Sequence, residues 1–181
     1  MLKNDKITLR TVQESDLDRL HRFHRDIDNR GSYFPHGVMS EPVFRQQFHE
    51  SGFWKKEEGM LVIIAGDGEI IGHIEFFQTV AYLDELELSY HIYTEEYRGQ
   101  GIATGAVLLM TRYLFDNKKY NRIRLIIHPE NNASKKVAAK CGYQLEGTAR
   151  GAWFHGGRNQ DVEVYALLRD EYYGSSRTAL P

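Results

Sequence analysis

The chain has 181 residues, of which 41% are hydrophobic and 12% aromatic, and its 23 basic and 25 acidic residues leave a formal net charge of −2. This balance argues against bulk electrostatic binding to nucleic acid, the single cysteine excludes an intrachain disulfide framework, and no apolar run reaches the roughly 20 residues of a membrane span. At this length we expect one domain over residues 1–181, monomeric or homodimeric. Because no apolar signal-peptide core follows the N-terminus, we also expect the protein to be cytoplasmic, without membrane or nucleic-acid partners.

Periodicity divides the first part of the chain into a strand, two helices and a hairpin. Alternation of apolar and polar residues predicts a strand over residues 6–12. Apolar residues at helical spacing predict a helix from Ser15 to Ile27, with the serine as its N-cap, and a second helix that begins after Ser40. Residues 60–77 contain two apolar runs around a Gly-Asp-Gly turn, which predicts a hairpin.

The stretch 84–93 alternates between two faces. One face is apolar and carries Leu86, Leu88, Tyr90 and Ile92. The other is polar and carries Glu85, Glu87, Ser89 and His91. The pattern predicts a strand with one face in the core and the other available to a site.

The remainder alternates helix and strand before it ends in long strands. A helix is predicted over 101–115, a strand over 122–128, a helix over 131–142 and a hairpin over 143–168. The strand–helix–strand unit from 85 to 127 should close as a right-handed parallel crossover, because that hand dominates such connections. Its other strand neighbours are expected to be antiparallel.

Residues 97–104, with the sequence YRGQGIAT, place an arginine and two glycines directly before a predicted helix. A helix N-terminus carries partial positive charge and unpaired N–H groups, and glycines leave it open to phosphate oxygens, while Arg98 adds a charged donor. An ordinary turn into a helix is the alternative. The lysine-containing P-loop spacing is absent, and the third glycine of a dinucleotide fingerprint is replaced by Thr104.

Three segments, in order, resemble the GNAT superfamily of acetyltransferases over about residues 7–172. Residues 87–107 resemble its acyl-CoA motif, Arg/Gln-x-x-Gly-x-Gly/Ala. The fixed positions of that motif hold Arg98, Gly101 and Ala103. Residues 129–147 resemble the helix and strand that flank the CoA arm. Residues 157–172 resemble the last strand of the ribosomal-protein N-acetyltransferase (RimJ/RimL) branch.

The resemblance implies a single α/β (α+β) domain with a bent, mixed, mostly antiparallel sheet of about seven strands, splayed between two central parallel strands and flanked by about four helices. It also implies that acetyl-CoA, with no metal, binds in the splay. The backbone of His91, Ile92 and Tyr93 would bond the pantetheine arm. The pyrophosphate would meet the amides of Arg98, Gly99, Gln100, Gly101, Ile102 and Ala103. Asn131 and Ser134 would flank the arm.

Acetyl transfer to an amine needs a proton acceptor and a donor for the leaving thiolate. Ser134 lies at the family position near the CoA sulfur, although a serine at a helix start is also a common N-cap. The tyrosine that many members place on this helix is replaced by Ala138. Glu87, on the polar strand face, is the predicted base; the alternative is a salt-bridged or solvated glutamate. His73, His91 and His155 are further candidates or packing residues.

The predicted function is therefore transfer of acetyl from acetyl-CoA to a primary amine, either a protein N-terminus or a small molecule, by direct attack. A non-catalytic acyl-CoA-binding or sensor domain is the alternative. The acceptor pocket is expected at the aromatic and polar loop and at the tip of the last hairpin. Its predicted residues are Tyr33, Phe34, His36, Phe154 and His155, and the alternative for the loop residues is a satellite core. No HExxH or clustered Cys/His spacing points to a metal.

Overall fold

The computed structural model describes residues 1–177. The strands in this range are β1 (Leu2–Lys3), β2 (Ile7–Thr11), β3 (Glu58–Ala65), β4 (Ile70–Phe77), β5 (Glu85–Ile92), β6 (Arg122–Ile127), β7 (Gln144–His155) and β8 (Arg158–Leu168). The α-helices are α1 (Leu17–Arg25), α2 (Ile27–Arg30), α3 (Glu41–Ser51), α4 (Ile102–Asn117), α5 (Asn132–Lys140) and α6 (Arg169–Arg177). Short 3₁₀ turns precede α1 and α4.

The strands form one mixed sheet in the order β1-β2-β3-β4-β5-β6-β8-β7. Among the strands of residues 1–177, only β5 and β6 pair in parallel, which confirms that the predicted crossover through α4 is parallel. These two strands pair from Glu85–Arg122 to Glu87–Arg124 and then stop pairing, although β5 continues to Ile92 and β6 to Ile127. The central strands therefore splay apart, as the resemblance implied.

The sheet has a separate hydrophobic cluster on each face, because successive side chains of a strand point to opposite faces. On β3, Leu61 and Ile63 pack with the apolar side of α4, whereas Met60 and Val62 pack with α1 and α3. The apolar face of β5 belongs to the α4 side, where Leu86 is fully buried. The polar face of β5 consequently points to the α1 side of the sheet.

Several element boundaries differ from those predicted. The first helix is preceded by a 3₁₀ turn and a capping box between Gln13 and Asp16, so Ser15 is not its N-cap. Ser40 is the N-cap position of α3, as predicted, with Gly52 in a left-handed conformation at its end. The eighth strand is the two-residue β1, and the additional helices are the single turn α2 and the mostly polar α6, neither of which has a marked apolar period.

Candidate active site

A cleft of about 1490 Å³ opens where β5 and β6 diverge. It runs from the turn before α4, past the start of α5, to the polar face of β4 and β5 on the other side of the sheet. Sites for small ligands generally enclose roughly 300–1,000 Å³, so this cleft has room for a long ligand and a second reactant.

The turn 98–103 forms one end of the cleft with its backbone. Gly99 and Gly101 have φ angles of 74° and 82°, in the left-handed region that glycine enters without strain. Gly101 is the N-cap residue of α4 and has no side chain to bond the first-turn N–H groups. A Cβ on Gly99 would meet open space. The N-terminus of α4 thus presents amides that a phosphate can approach.

The side chain of Arg98 contacts groups of the protein itself, at the end of β5 and in the turn before α4. Its Nε and Nη2 donate to the Ile92 carbonyl at 3.3 and 3.2 Å, and Nη1 lies 3.6 Å from a Glu95 carboxylate oxygen. In this conformation the guanidinium stabilises the exit from β5 instead of extending from the turn as a charged donor. A cation from elsewhere reaches the same turn, since Lys6 Nζ donates to the Gln100 carbonyl at 2.9 Å.

The register of β4 and β5 corrects one expected backbone contact. The Tyr93 N–H donates to the Ile71 carbonyl at 2.9 Å, so that amide is not available to a pantetheine arm. His91 is the register partner of His73 on β4, so its backbone groups also face β4. Because backbone groups of alternate residues point to the same neighbour, Ile92 and Tyr90 direct theirs to the splay.

The start of α5 faces the splay from the α4 side of the sheet. Asn131, not Ser134, caps this helix: its Oδ1 accepts from the Ser134 N–H at 3.1 Å. The Ser134 hydroxyl is therefore not needed as a cap and lines the cleft. Tyr90 lies across from it, and its hydroxyl is buried close enough to Ser134 for the two side chains to interact. Burial raises the pKa of Tyr90 to about 12, with Ser134 opposing the shift.

Glu87 lies on the cleft face of β5 and is engaged in an ion pair. Its carboxylate contacts Arg124 Nη2 at 3.0 Å and Nε at 3.1 Å. Arg124 also contacts Glu85 at 2.7 Å and donates to the Thr79 hydroxyl at 2.7 Å. Burial raises the pKa of Glu87, while Arg124 acts to lower it. These contacts match the alternative interpretation of Glu87 as a salt-bridged glutamate.

Glu75, on β4, is a cleft residue that sequence reasoning missed. It is paired in register with Ser89 of β5, so both side chains point into the cleft beside Glu87. Burial raises the pKa of Glu75, opposed by a hydrogen bond with Ser89. No ion pair to Glu75 occurs within residues 1–177. Its sequence signal was a carboxylate inside a mostly apolar strand, IIGHIEFF.

Aromatic and histidine side chains extend the polar face. His73 is 2% exposed and its Nδ1 lies 2.8 Å from the Tyr93 hydroxyl, which makes it a packing residue. His24 stacks on His73 at 5.2 Å and pairs through Nδ1 with Arg30 at 3.3 Å. Burial, reinforced by the nearby Arg30 cation, lowers the pKa of His24 to about 4.

The mouth of the cleft is aromatic. Tyr33 stacks on His128 at 5.0 Å, and Phe34 stacks on His91 at 4.9 Å; all four line the cleft. His36 and His155 do not line it; their rings pack edge to face beside the mouth, with centroids 4.4 Å apart.

Phe154 is not brought to the cleft. It is 71% exposed, because alternation along β7 turns it away from its neighbours Trp153 and His155, which stack on each other at 4.3 Å. Trp153 lines the cleft instead. The available sequence signal was the ring of His155, two residues after Trp153, because residues two apart on a strand lie on the same face.

Within residues 1–177 no three His, Cys, Asp or Glu side chains are grouped so as to hold a metal ion. None of the helices described is long and apolar enough to cross a membrane.

Comparison with known proteins gives a family match over most of the chain. A family model described as the acetyltransferase (GNAT) domain matches residues 6–144. The chain is 27% identical over 143 residues to the ribosomal-protein-serine acetyltransferase of Escherichia coli (strain K12), covering 76% of each protein.

Solved structures agree on the fold. A GNAT-family acetyltransferase from Bacillus anthracis superposes with a TM-score of 0.78 and 26% identity, covering 94% of this chain and 99% of that one. The spermidine N-acetyltransferase of Vibrio cholerae, in complex with CoA and spermine, gives a TM-score of 0.81 at 23% identity, covering 94% and 99%. At that identity the second likeness shows the fold alone.

Proposed function

Because the chain belongs to the GNAT acetyltransferase family, we propose that it transfers the acetyl group of acetyl-CoA to the primary amine of a protein N-terminus or a small molecule by direct attack. As a member of that family it is an acyltransferase that uses acetyl-CoA. The acceptors named for similar proteins, spermine and a ribosomal protein, belong to different chemical classes.

One observation carries the proposal: the cleft passes through the sheet where β5 and β6 separate, and it has different chemistry on its two sides. We call the turn 98–103 with the first turn of α5 the CoA half. We call the polar faces of β4 and β5, with the aromatic mouth, the acceptor half. A thioester bound in the splay would be reached by an amine from the other face of the sheet.

The residues of the CoA half fit acetyl-CoA. The amides from Gly99 to Ala103 at the α4 N-terminus suit the pyrophosphate. The splay-facing backbone of Tyr90 and the N–H of Ile92, whose carbonyl is bound by Arg98, suit an extended pantetheine arm. Lys6, which already reaches this turn, adds a positive charge. When bound, acetyl-CoA supplies an acetyl group activated as a thioester.

Two protons must be handled during transfer, since the acceptor arrives largely as an ammonium ion. Ser134 is placed to donate to the departing thiolate from the α4 side of the sheet, its hydroxyl free of the capping role. On the opposite side a carboxylate must take a proton from the amine. Two carboxylates face this side: Glu87, which the sequence predicts for this role and which is bound by Arg124, and Glu75 beside it.

Acetyl-CoA turnover with a panel of amines tests the proposal. The panel should contain spermidine, peptides with different N-terminal residues, an amino sugar and an aminoacyl nucleotide, with free thiol release measured for each. Turnover of at least one amine, together with acetylated product by mass spectrometry, is expected. Tight acetyl-CoA binding by calorimetry without turnover of any panel member would favour a non-catalytic acyl-CoA sensor.

A further inference from the structure

We propose that Glu75, rather than Glu87, takes the proton from the acceptor ammonium. This inference rests on the proposed transfer to an amine and names the residue that makes the amine reactive. Both glutamates face the acceptor half from neighbouring strands, and the difference between them lies in what already holds each carboxylate.

The contacts of the two carboxylates differ. Glu87 is held by two nitrogens of Arg124, and that arginine is in turn fixed by Glu85. A proton accepted by Glu87 would have to break this charge-assisted pair in a partly buried site. Within residues 1–177, the neutral Ser89 hydroxyl is the hydrogen-bond partner of Glu75 and no ion pair to its carboxylate occurs, so it can accept a proton without breaking an ion pair.

The position of Glu75 suits an incoming amine. It lies opposite Ser89 on the cleft floor, two residues along β4 from the buried His73. The charged and titratable groups whose fields reach the carboxylate come from every neighbouring element. They are Arg30 at the end of α2, Glu58 on β3, Glu87 on β5 and Tyr93 just after β5. Arg30 is the only cation among them at neutral pH, which leaves the site receptive to an ammonium.

A largely buried carboxylate is a better base than an exposed one. Burial raises the pKa of Glu75 above its ordinary value and brings it closer to neutral pH, where proton transfer from an amine is most effective. In the proposed step Glu75 receives one proton from the ammonium. The amine nitrogen then forms the C–N bond with the acetyl carbon as the C–S bond breaks. The thiolate keeps that electron pair and receives the second amine proton, through Ser134 or water.

The matched variants Glu75→Gln and Glu87→Gln separate the two carboxylates, because each keeps the shape of the side chain and removes its charge. We expect Glu75→Gln to lower kcat/KM by about 100-fold at pH 7, within the usual range for loss of a positioned base. The defect should shrink toward pH 9, where more of the amine arrives neutral. Glu87→Gln should lower kcat/KM less than Glu75→Gln does, by a factor that does not shrink toward pH 9, since its charge serves the Arg124 pair.

Thermal stability distinguishes catalysis from architecture. Because the folded-state pKa of Glu75 is raised, ionisation disfavours the folded protein as pH rises through that pKa. Glu75→Gln should therefore melt at or above the wild-type temperature at pH 8. Glu75→Asp, which keeps the charge one methylene further away, should retain more of the wild-type pH profile than the glutamine variant.

Three results would overturn the inference: wild-type rates for Glu75→Gln from pH 6 to 9, a pH-independent loss accompanied by a lower melting temperature, or the larger defect in Glu87→Gln. Failure of the proposed function looks different, since the wild-type enzyme itself would then turn over no amine. Calorimetry with acetyl-CoA should give wild-type affinity for both glutamine variants, because neither residue belongs to the CoA half.

Discussion

The CoA half of the cleft is built from backbone, whereas the acceptor half is built from side chains. In the first, the turn 98–103 and the start of α5 present amides, a capped helix and one hydroxyl. In the second, charged and aromatic side chains come from β4, β5, the loop after α2 and the last hairpin. Backbone recognition depends on a short continuous segment, while side-chain recognition depends on register between distant segments.

This difference implies that the two halves respond differently to mutation. A change in the CoA half should alter the binding of acetyl-CoA for every acceptor. A change in the acceptor half should alter kcat or the acceptor KM and leave the binding of acetyl-CoA intact. The variants below challenge that separation.

The largest effect is expected from Gly101→Asp. The new carboxylate would lie beside the amides of the α4 N-terminus, where phosphate should bind, and like charges disfavour each other there. Isothermal titration calorimetry should show acetyl-CoA affinity reduced by more than about 100-fold, or roughly 3 kcal/mol.

Gly101→Asn is the matched control for that substitution. Asparagine has nearly the same shape and also tolerates the left-handed conformation that this residue adopts, with φ of 82°. The neutral variant should lose much less affinity than the aspartate variant. Equal affinities for both variants and wild type would place the phosphates elsewhere.

The next effect concerns Ser134, at the boundary between the two halves. Ser134→Ala should lower kcat by roughly 10- to 1,000-fold, the range for loss of one positioned donor, with little change in acetyl-CoA affinity. Since Asn131 caps α5, the melting temperature should not fall. Tyr90→Phe removes the other hydroxyl on this side of the splay and shows whether the two act together. An unchanged kcat in Ser134→Ala would leave thiolate protonation to water or to Tyr90.

The same contrast explains what could be predicted from the sequence. The parallel crossover, the splay and the turn 98–103 follow from local periodicity and a contiguous motif, and the fold was predicted correctly. Glu75 was missed because its meaning depends on pairing with Ser89 across two strands. Phe154 was misplaced because the face of a long edge strand depends on a register that shifts twice along β7.

Trp153 and Phe154 test that face assignment directly, because adjacent residues of one strand lie on opposite faces. Trp153 lines the acceptor half, and Phe154 does not. We expect Trp153→Ala to raise the acceptor KM by about 10-fold, the order of one lost aromatic contact, with acetyl-CoA affinity unchanged. Phe154→Ala should have nearly wild-type kinetics. A comparable rise in KM for both variants would contradict the separation of faces.

The smallest effect is a difference in pH sensitivity. His24 lies in the acceptor half, and its pKa is lowered to about 4 by burial and by Arg30, so the folded protein holds it neutral. An unfolded histidine has a pKa of about 6.5 and binds a proton below that pH. Between about pH 6.5 and pH 4 the unfolded chain therefore binds more protons, and stability falls as pH falls.

The variant His24→Phe isolates this contribution, because phenylalanine keeps a ring against Phe44 and His73 but does not titrate. Wild type should lose about 1–2 kcal/mol more unfolding free energy than the variant between pH 7 and pH 5, measured by urea denaturation at each pH. Identical losses would mean that His24 titrates normally in the folded protein. The turn 98–103 contains no histidine. A difference between wild type and His24→Phe would therefore assign this part of the acid sensitivity to the acceptor half.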